Sequence, residues 1–155
     1  MKIGGTYSLP ITRERAYEIL QDPAVLARCM PGTQELVKIG PDEYEMKMKM
    51  VISAVQGLFA GKVRIADQKP PEQFRLIVEG SGKVGFMRGD GLLTLQTGTS
   101  TEVHYEGEVH VGGVIAGVGQ RLLDTTSKII IRKFFEKLTE AVAQSTDPGQ
   151  AAGLS

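Results

Sequence analysis

Apolar and polar residues alternate along the central part of the chain, from about residue 33 to residue 112. The clearest case is the segment 44–54, in which Glu45, Lys47 and Lys49 separate apolar residues. Successive side chains of a strand point to opposite faces, so this period of two predicts half-buried strands joined by antiparallel hairpins. The apolar face of this strand comprises Tyr44, Met46, Met48, Met50, Ile52 and Ala54.

Two short helices are predicted between a first strand at residues 2–9 and this series of strands. Thr12 is placed to cap a helix over residues 13–20. Asp22 and Pro23 supply the cap and the first position of a second helix, which Pro31 and Gly32 end. The helices therefore come before the sheet's central strands, not between them.

After about residue 114 the apolar residues recur every three or four positions, which predicts one long helix to about residue 144. A helix with so broad an apolar stripe must lie across a large apolar surface, and the sheet offers one. The stripe consists of Val118, Leu122, Ile130, Phe134, Leu138 and Val142, widened by Ile115, Leu123, Ile131 and Phe135.

The sequence therefore predicts an α+β fold with a curved antiparallel sheet of about six to seven strands around a long C-terminal helix. Many of the 19 glycines lie inside strand-like segments, where they suit the bulges and bends of a curved sheet. We expect one domain over residues 1–144. Residues 145–155 are small and turn-rich, and we expect a disordered tail there.

Charge and cysteine content narrow the function classes. Lys plus Arg and Asp plus Glu both number 18, and this balance argues against a nucleic-acid partner. Cys29 is the single cysteine, which fits a reducing, cytoplasmic compartment. No apolar run is long enough to span a bilayer. We expect a cytoplasmic protein with at most peripheral contact with the inner face of the cell membrane.

Two sequence motifs could indicate a cofactor site or a metal site, but their sequence context favours a structural role. The glycine-rich run at residues 80–85 has the spacing of a dinucleotide fingerprint, but strand pattern flanks it on both sides, so we expect a bent hairpin. His104, Glu106, Glu108 and His110 share one strand face, and two of them could bind a metal, but a solvated face is the better interpretation. No catalytic residue, metal or cofactor is predicted.

A further set of residues carries a resemblance to a known family. The chain resembles the CoxG family, that of the G subunit of carbon monoxide dehydrogenase, within the START-like (SRPBCC) helix-grip superfamily, from about residue 1 to residue 144. The residues that carry the resemblance are Asp22-Pro23, Leu26-Ala27, Cys29, Pro31-Gly32 and Leu36; Gly57, Phe59, Gly61, Pro70-Pro71 and Leu76; Gly80, Gly82, Gly85, Gly89 and Gly91; and Gly112-Gly113, Ala116, Gly119-Gln120-Arg121 and Phe134-Phe135.

The resemblance implies a ligand cavity between the sheet and the long helix. Methionine adapts to apolar partners of variable shape, so the methionines of residues 46–50 are interpreted as lining that cavity, with plain core packing as the alternative. Tyr105 is a candidate polar contact for a ligand. The predicted ligand-binding residues are Met46, Met48, Met50, Phe59, Val63, Phe74, Leu76, Phe86, Leu93, Val103, Tyr105, Val118, Leu122, Ile130 and Phe134.

The glycine-rich segment at residues 112–119 has two interpretations, a mobile gate at the cavity mouth or a tight strand-to-helix turn.

The resemblance also implies a role and partners. Members of the family are associated with molybdenum hydroxylases of the carbon monoxide dehydrogenase type, as accessory or membrane-recruiting factors. We therefore expect a non-catalytic protein that binds a hydrophobic molecule, a quinone or a lipid, and serves such an enzyme. The alternatives are a helix-grip enzyme, a cyclase or hydrolase acting on a bulky apolar substrate, and an interaction module with a filled core.

Overall fold

The computed structural model describes residues 1–98 and 100–145. One antiparallel sheet has the strand order β1-β7-β6-β5-β4-β3-β2, so every consecutive pair from β2 to β7 forms a hairpin and β1 closes against β7. The α+β prediction is confirmed. The strands are β1 (Lys2–Leu9), β2 (Thr33–Gly40), β3 (Glu43–Ile52), β4 (Val55–Lys69), β5 (Gln73–Gly82), β6 (Gly85–Thr97) and β7 (Thr101–Gly112).

Two short helices follow β1, as the caps predict. Helix α1 (Arg13–Ile19) begins after Thr12, whose side chain accepts a hydrogen bond from the backbone N–H of Arg15. Helix α2 (Pro23–Cys29) begins after Asp22, whose carboxylate accepts from the N–H of Ala24 at 2.9 Å. These side chains satisfy N–H groups that have no partner within the first turn.

The long helix begins later than the apolar period predicts. A 3-10 helix (Val114–Val118) comes first, and α3 (Gln120–Ser145) begins only after Gly119, whose φ of +100° breaks the helical path. Val118 therefore does not belong to the long helix. The part of the predicted tail beyond residue 145 lies outside the described residues, and α3 includes Ser145 itself.

Residues 112–119 form a tight turn between β7 and α3. A Cβ atom on Gly113 would lie 2.5 Å from the Cα of Gly85, and the residue has a φ of +83°. The N–H of Ile115 donates to the carbonyl of Val84 at 2.8 Å, and the Ile115 side chain is buried. These contacts support the turn interpretation of the glycine-rich segment.

Two hydrophobic clusters hold α3 against the sheet. The first contains Leu9, Phe74, Leu95 and Leu138, all almost fully buried, and lies beneath α1, α2 and the C-terminal half of α3. The second is smaller and lies at the opposite end of the sheet, around the start of α3. Its buried members are Ile52, Phe59, Ile115 and Leu123.

One residue of the predicted apolar face of β3 lies outside the strand. Ala54 is exposed and sits in the turn between β3 and β4, where Ser53 has a φ of +56°. The strand ends at Ile52, which is the last residue of its inner face to be buried.

Candidate ligand-binding site

The sheet has an inner face, which is directed toward α3, and an outer face. On β7, Val103 is fully buried and Tyr105 packs against the first cluster, whereas Glu102, Glu106 and Glu108 are exposed. The inner face therefore carries the odd-numbered residues of β1, β4, β6 and β7 and the even-numbered residues of β3 and β5. This assignment decides which predicted site residues can share one space.

Most of the predicted ligand-binding residues lie on the inner face or on the helical side that meets it. Six of them are buried in the first cluster: Met46, Met48, Val63, Phe74, Val103 and Phe134. Four more pack against that cluster while staying half-buried: Met50, Leu76, Leu93 and Tyr105. Phe59, Val118 and Leu122 belong to the second cluster, and Ile130 is half-buried on α3.

Phe86 does not lie with the other predicted residues. It pairs with Gly112 across the sheet and lies on the outer face with Arg88 and Asp90, at 51% exposure. Its ring occupies the space that a Cβ on Gly112 would take. Leu93 and Phe86 are seven residues apart along one strand, so the alternation of faces directs them to opposite sides. Met87, which packs into the second cluster, takes the inner position.

The methionines of β3 pack as core residues. Met46 and Met48 are 6% and 7% exposed, and only Met50 remains half-buried. The Cε of Met46 lies 3.1 Å from where a Cβ on Gly80 would be, so the flexible side chain occupies the room that this glycine leaves. The surfaces of Met46 and Met48 are therefore largely covered by the protein itself.

Between the two clusters lies a band of the inner face that solvent still reaches, which we call the inner strip. Its residues are half-buried and none of them is charged, so it presents apolar side chains and bare backbone. The inner strip comprises Leu76 and Val78 of β5, Gly89, Gly91 and Leu93 of β6, Tyr105, Gly107 and Val109 of β7, and Ile130 and Ile131 of α3.

Two glycines of β6 give the inner strip its depth. A Cβ on Gly91 would meet only the carbonyl oxygen of Glu106, at 3.5 Å, and the Cα of Gly107, at 4.0 Å. A Cβ on Gly89 would meet only a methyl group of Val109, at 3.8 Å, and a backbone oxygen at 3.9 Å. No atom of α3 comes within 4 Å of either position, so the helix leaves space above this part of the sheet.

The path of α3 explains this space. Leu123 is buried in the second cluster and Phe134 in the first, and the helix rises about 16 Å between them at about 1.5 Å per residue. Ile130 and Ile131, which lie within this stretch, are only half-buried. The helix is thus anchored at two places and spans the inner strip between them.

Three nearly parallel aromatic rings form one wall of the inner strip. The rings of Tyr7 and Phe135 are 4.4 Å apart with an angle of 10°. The ring of Tyr105 lies beside both, 6.2 Å from Tyr7 and 6.4 Å from Phe135. The Tyr105 ring lies over Gly5, where a Cβ would come within 2.8 Å of its Oη. Burial, with a smaller contribution from Tyr7, raises the pKa of Tyr105, so its hydroxyl stays protonated at neutral pH.

Sequence reasoning missed several residues of this site. Gly89, Gly91 and Val109 belong to the inner strip, and Tyr7 and Phe135 to its aromatic wall. A signal for the first three existed, because they have the same parity as Leu93 and Tyr105 on their strands. No comparable signal existed for Tyr7, since its partners come from β7 and α3, far along the chain.

The two sequence motifs with a possible chemical role form ordinary structural features. Residues 80–85 form the β5–β6 hairpin, with strand on both sides. On the outer face, His104 contacts Thr6 at 2.9 Å and Gln96 at 3.3 Å, so the histidine belongs to a surface hydrogen-bond network. Within residues 1–98 and 100–145, no three His, Cys, Asp or Glu side chains are grouped as metal ligands would be.

Cys29 and two surface recesses are further features of the molecule. Burial raises the pKa of the Cys29 thiol, against a smaller lowering by Arg28 and Lys137, which disfavours the reactive thiolate. One recess of about 240 Å³ lies between α1, α2 and the end of α3, and another of about 300 Å³ lies mainly on the outer face beside Thr6 and His104. Charged and polar groups line both, unlike the inner strip.

The fold places this protein among those with a START-like helix-grip architecture. A START superfamily protein from Mycobacterium smegmatis aligns with a TM-score of 0.73 at 13% identity, covering 94% of this chain and 99% of that one. The di-domain ARO/CYC protein BexL of the BE-7585A biosynthetic pathway aligns with a TM-score of 0.58 at 11% identity, covering 90% of this chain and 49% of that one. At these identities the likeness concerns the fold alone.

The family is more specific than the fold. The model of the CoxG family, the G subunit of carbon monoxide dehydrogenase, matches residues 5–143, and the chain belongs to this family. A conserved protein from Geobacillus kaustophilus has 33% identity and a TM-score of 0.88, over 94% of this chain and 97% of that one. No curated protein matches the chain significantly. Family and fold together indicate, at a coarse level, an accessory protein that binds a ligand.

Within residues 1–98 and 100–145, no helix is both long enough and apolar enough to cross a bilayer.

Proposed function

We propose that this protein carries a hydrophobic molecule, a quinone or a lipid, in the inner strip and serves a molybdenum hydroxylase of the carbon monoxide dehydrogenase type. The observation that carries the proposal is the uncovered inner face between the two clusters. Gly89 and Gly91 leave room there for non-protein atoms, and α3 passes over without filling it.

The chemistry of the inner strip favours an apolar ligand. Its side chains are aliphatic or aromatic and carry no charge, so a charged ligand would lose its hydration without gaining a partner. An apolar chain gains about 0.8 kcal/mol for each CH₂ group that it buries. An isoprenoid or acyl chain lying along β6 is therefore the favoured occupant.

The aromatic wall favours a planar ring at one end of that chain. The rings of Tyr7, Tyr105 and Phe135 are nearly parallel, so a flat ring can stack in the same orientation. The protonated hydroxyl of Tyr105 can donate a hydrogen bond to a ring carbonyl, and among the described residues it has no hydrogen-bond partner. A quinone offers both a flat ring and a carbonyl acceptor.

The partner enzyme is proposed on the basis of family membership. The family's description is that of a component of carbon monoxide dehydrogenase, and a carrier of a redox-active or membrane-resident molecule would suit such an assembly. In this role the protein delivers or positions a ligand and recruits the enzyme toward the membrane, while the enzyme performs the catalysis.

The test is native mass spectrometry of the freshly purified protein, followed by extraction and identification of any bound molecule. We expect a co-purifying quinone or lipid, or stoichiometric uptake of a short-tailed menaquinone added to the empty protein. Failure to retain or take up any apolar probe would refute the carrier role.

A co-purification experiment with a carbon monoxide dehydrogenase-type enzyme tests the partner separately. Turnover of a bulky apolar substrate, in contrast, would favour the enzyme alternative.

A further inference from the structure

One end of the molecule, which we call the tip, is bounded by a row of paired residues across the sheet. The row runs Met46, Gly61, Gly80, Met87 and Val111. Beyond it lie the β3–β4 hairpin, the β5–β6 hairpin and the turn into α3, so the tip consists of residues 46–61, 80–87 and 111–123. The second hydrophobic cluster forms its interior.

The three turns of the tip are packed into one surface. A Cβ on Gly57 would lie 2.7 Å from a methyl group of Val84, which joins the two hairpins. The carbonyl of Val84 accepts from the N–H of Ile115 at 2.8 Å, which joins the second hairpin to the turn before α3. The two hairpins and the turn before α3 are therefore packed against one another.

The tip exposes large apolar side chains. Of the six large hydrophobic side chains that are exposed within the described residues, the tip carries four: Val51 (55%), Leu58 (59%), Phe86 (51%) and Val114 (63%). The other two, Val37 and Ile39, lie on the edge strand β2. Exposed apolar residues concentrated at one end indicate a contact surface, because isolated ones would scatter over the molecule.

The charge of the tip has one sign. It contains Lys47, Lys49, Lys83 and Arg121 and no Asp or Glu. The whole chain has 18 basic and 18 acidic residues, so 14 basic and 18 acidic residues lie elsewhere and the formal charge of −4 there balances the +4 of the tip. A neutral protein is thus strongly polarised along its length.

We propose that the tip docks on the surface of an anionic phospholipid bilayer. Exposed apolar side chains enter the boundary between headgroups and acyl chains, while Lys and Arg beside them contact anionic headgroups. Basic side chains beside exposed apolar ones, with no acidic residue among them, match the chemistry of an anionic lipid surface. The acidic remainder of the molecule is repelled, so the tip is held toward the membrane.

The docking proposal deepens the proposed function, because a carrier that docks on a bilayer meets membrane-resident ligands there. The docking proposal is nevertheless tested independently of the proposed function. Ligand uptake is measured without vesicles, and vesicle binding is measured without ligand, so each result stands alone.

A tryptophan reporter gives the sharpest test, because the chain has no tryptophan. Phe86→Trp places the only indole in the tip, and Val37→Trp places it at a similarly exposed position on β2. With vesicles of equal parts phosphatidylcholine and phosphatidylglycerol, we expect a blue shift for Phe86→Trp and none for Val37→Trp. Equal shifts, or no shift in either protein, would overturn the proposal.

Charge and apolarity are tested by vesicle flotation of paired variants. Removing Lys49 and Lys83 together as K49Q/K83Q should weaken binding about fivefold for each charge lost, since a basic residue near an anionic surface contributes about that factor. K38Q/K133Q removes as many charges away from the tip and should change little. Binding of the parent protein should also weaken as salt rises. Equal losses in the two double variants would contradict docking by the tip.

A substitution of Leu58 distinguishes docking on a membrane from binding to a protein partner. L58E should abolish flotation, whereas I39E on β2 should not, and both substitutions replace exposed side chains, so folding is checked by circular dichroism. If L58E leaves flotation intact but abolishes association with the molybdenum hydroxylase, the tip is a protein interface and the membrane proposal is wrong.

Discussion

The inner face of the sheet is occupied differently above two pairs of strands. Above β4 and β5, Gly61 and Gly80 face each other, and the methyl group of Met46 reaches to the room beside Gly80. Above β6, Gly89 and Gly91 likewise lack side chains, but no helical atom approaches them. Strand glycines thus allow close packing above β4 and β5, whereas above β6 they leave a space.

The largest expected effect comes from comparing two residues of α3, one packed in the first cluster and one lying over the inner strip. Leu138 is fully buried in the first cluster, so Leu138→Ala should lower the free energy of unfolding by about 2–5 kcal/mol. Ile130 lies over the inner strip and is half-buried, so Ile130→Ala should cost about 1 kcal/mol or less. Equilibrium denaturation measures both. Equal losses would show that the helix is packed evenly along its length.

The next prediction compares the glycines directly. A Cβ on Gly61 would collide with the carbonyl oxygen of Glu79, so Gly61→Ala should lower the free energy of unfolding by about 1–3 kcal/mol. Gly91→Ala should change it by less than about 0.5 kcal/mol, because the added methyl group meets its first atom at 3.5 Å. The midpoints of denaturant unfolding decide between them. A large loss from Gly91→Ala would mean that the strip has no free room.

A bulkier side chain at Gly91 tests what the space is for. Gly91→Leu should fill the inner strip and raise the Kd for a short-tailed menaquinone at least about tenfold, while the protein stays folded. Gly40→Leu is the matched control, since no atom lies within 4 Å of its Cβ position and it is remote from the inner strip. Fluorescence or calorimetric titration measures the Kd. Unchanged affinity in Gly91→Leu would place the ligand elsewhere.

The aromatic wall provides a smaller test of ligand orientation. Tyr105→Phe should weaken binding of a quinone about two- to twelvefold, because one hydrogen bond contributes about 0.5–1.5 kcal/mol. Tyr17→Phe is the control, because it removes a hydroxyl of the first cluster that donates to the carbonyl of Gln73. It should lower stability and leave the affinity unchanged. The opposite pattern of losses would remove Tyr105 from the site.

The smallest effect concerns alkaline pH. Burial raises the pKa of Tyr17, Tyr44 and Tyr105 above the ordinary 10.0. The folded protein then keeps protons that the unfolded chain releases, so this contribution is complete below about pH 10 and is lost as the pH rises through the folded pKa values. Unfolding measured as a function of pH should show declining stability above about pH 10, and Tyr105→Phe should make the decline shallower. A flat profile would contradict the burial of these hydroxyls.

The local features of the fold were predictable because short-range rules produce them. The period of two assigned the inner face of β3 from Tyr44 to Ile52, and Thr12 and Asp22 cap the helices as their side chains allow. The start of α3 was predicted too early. The apolar period continues through residues 114–118, whereas a positive φ at Gly119 separates them from the helix.

From the sequence, the candidate site was predictable only as one face of the sheet. Alternation along a strand says which side chains point inward, and it would have excluded Phe86 had its parity with Leu93 been applied. It does not say which inward side chains are covered. Met46 and Leu93 are both inward-facing and apolar, yet the first is buried and the second half-buried, because that depends on where α3 crosses the sheet.

Local sequence patterns were enough to predict the strands, the caps of the two short helices and the family, because these depend on neighbouring residues and on motifs along the chain. Where space remains and where charge collects depends instead on how distant segments pack together. Segments 46–61, 80–87 and 111–123 lie far apart in the sequence, and the chain's net charge is zero, yet the hairpin topology brings them together as one basic, apolar end. Packing between distant segments, which no local pattern encodes, leaves the inner strip open and polarises the molecule.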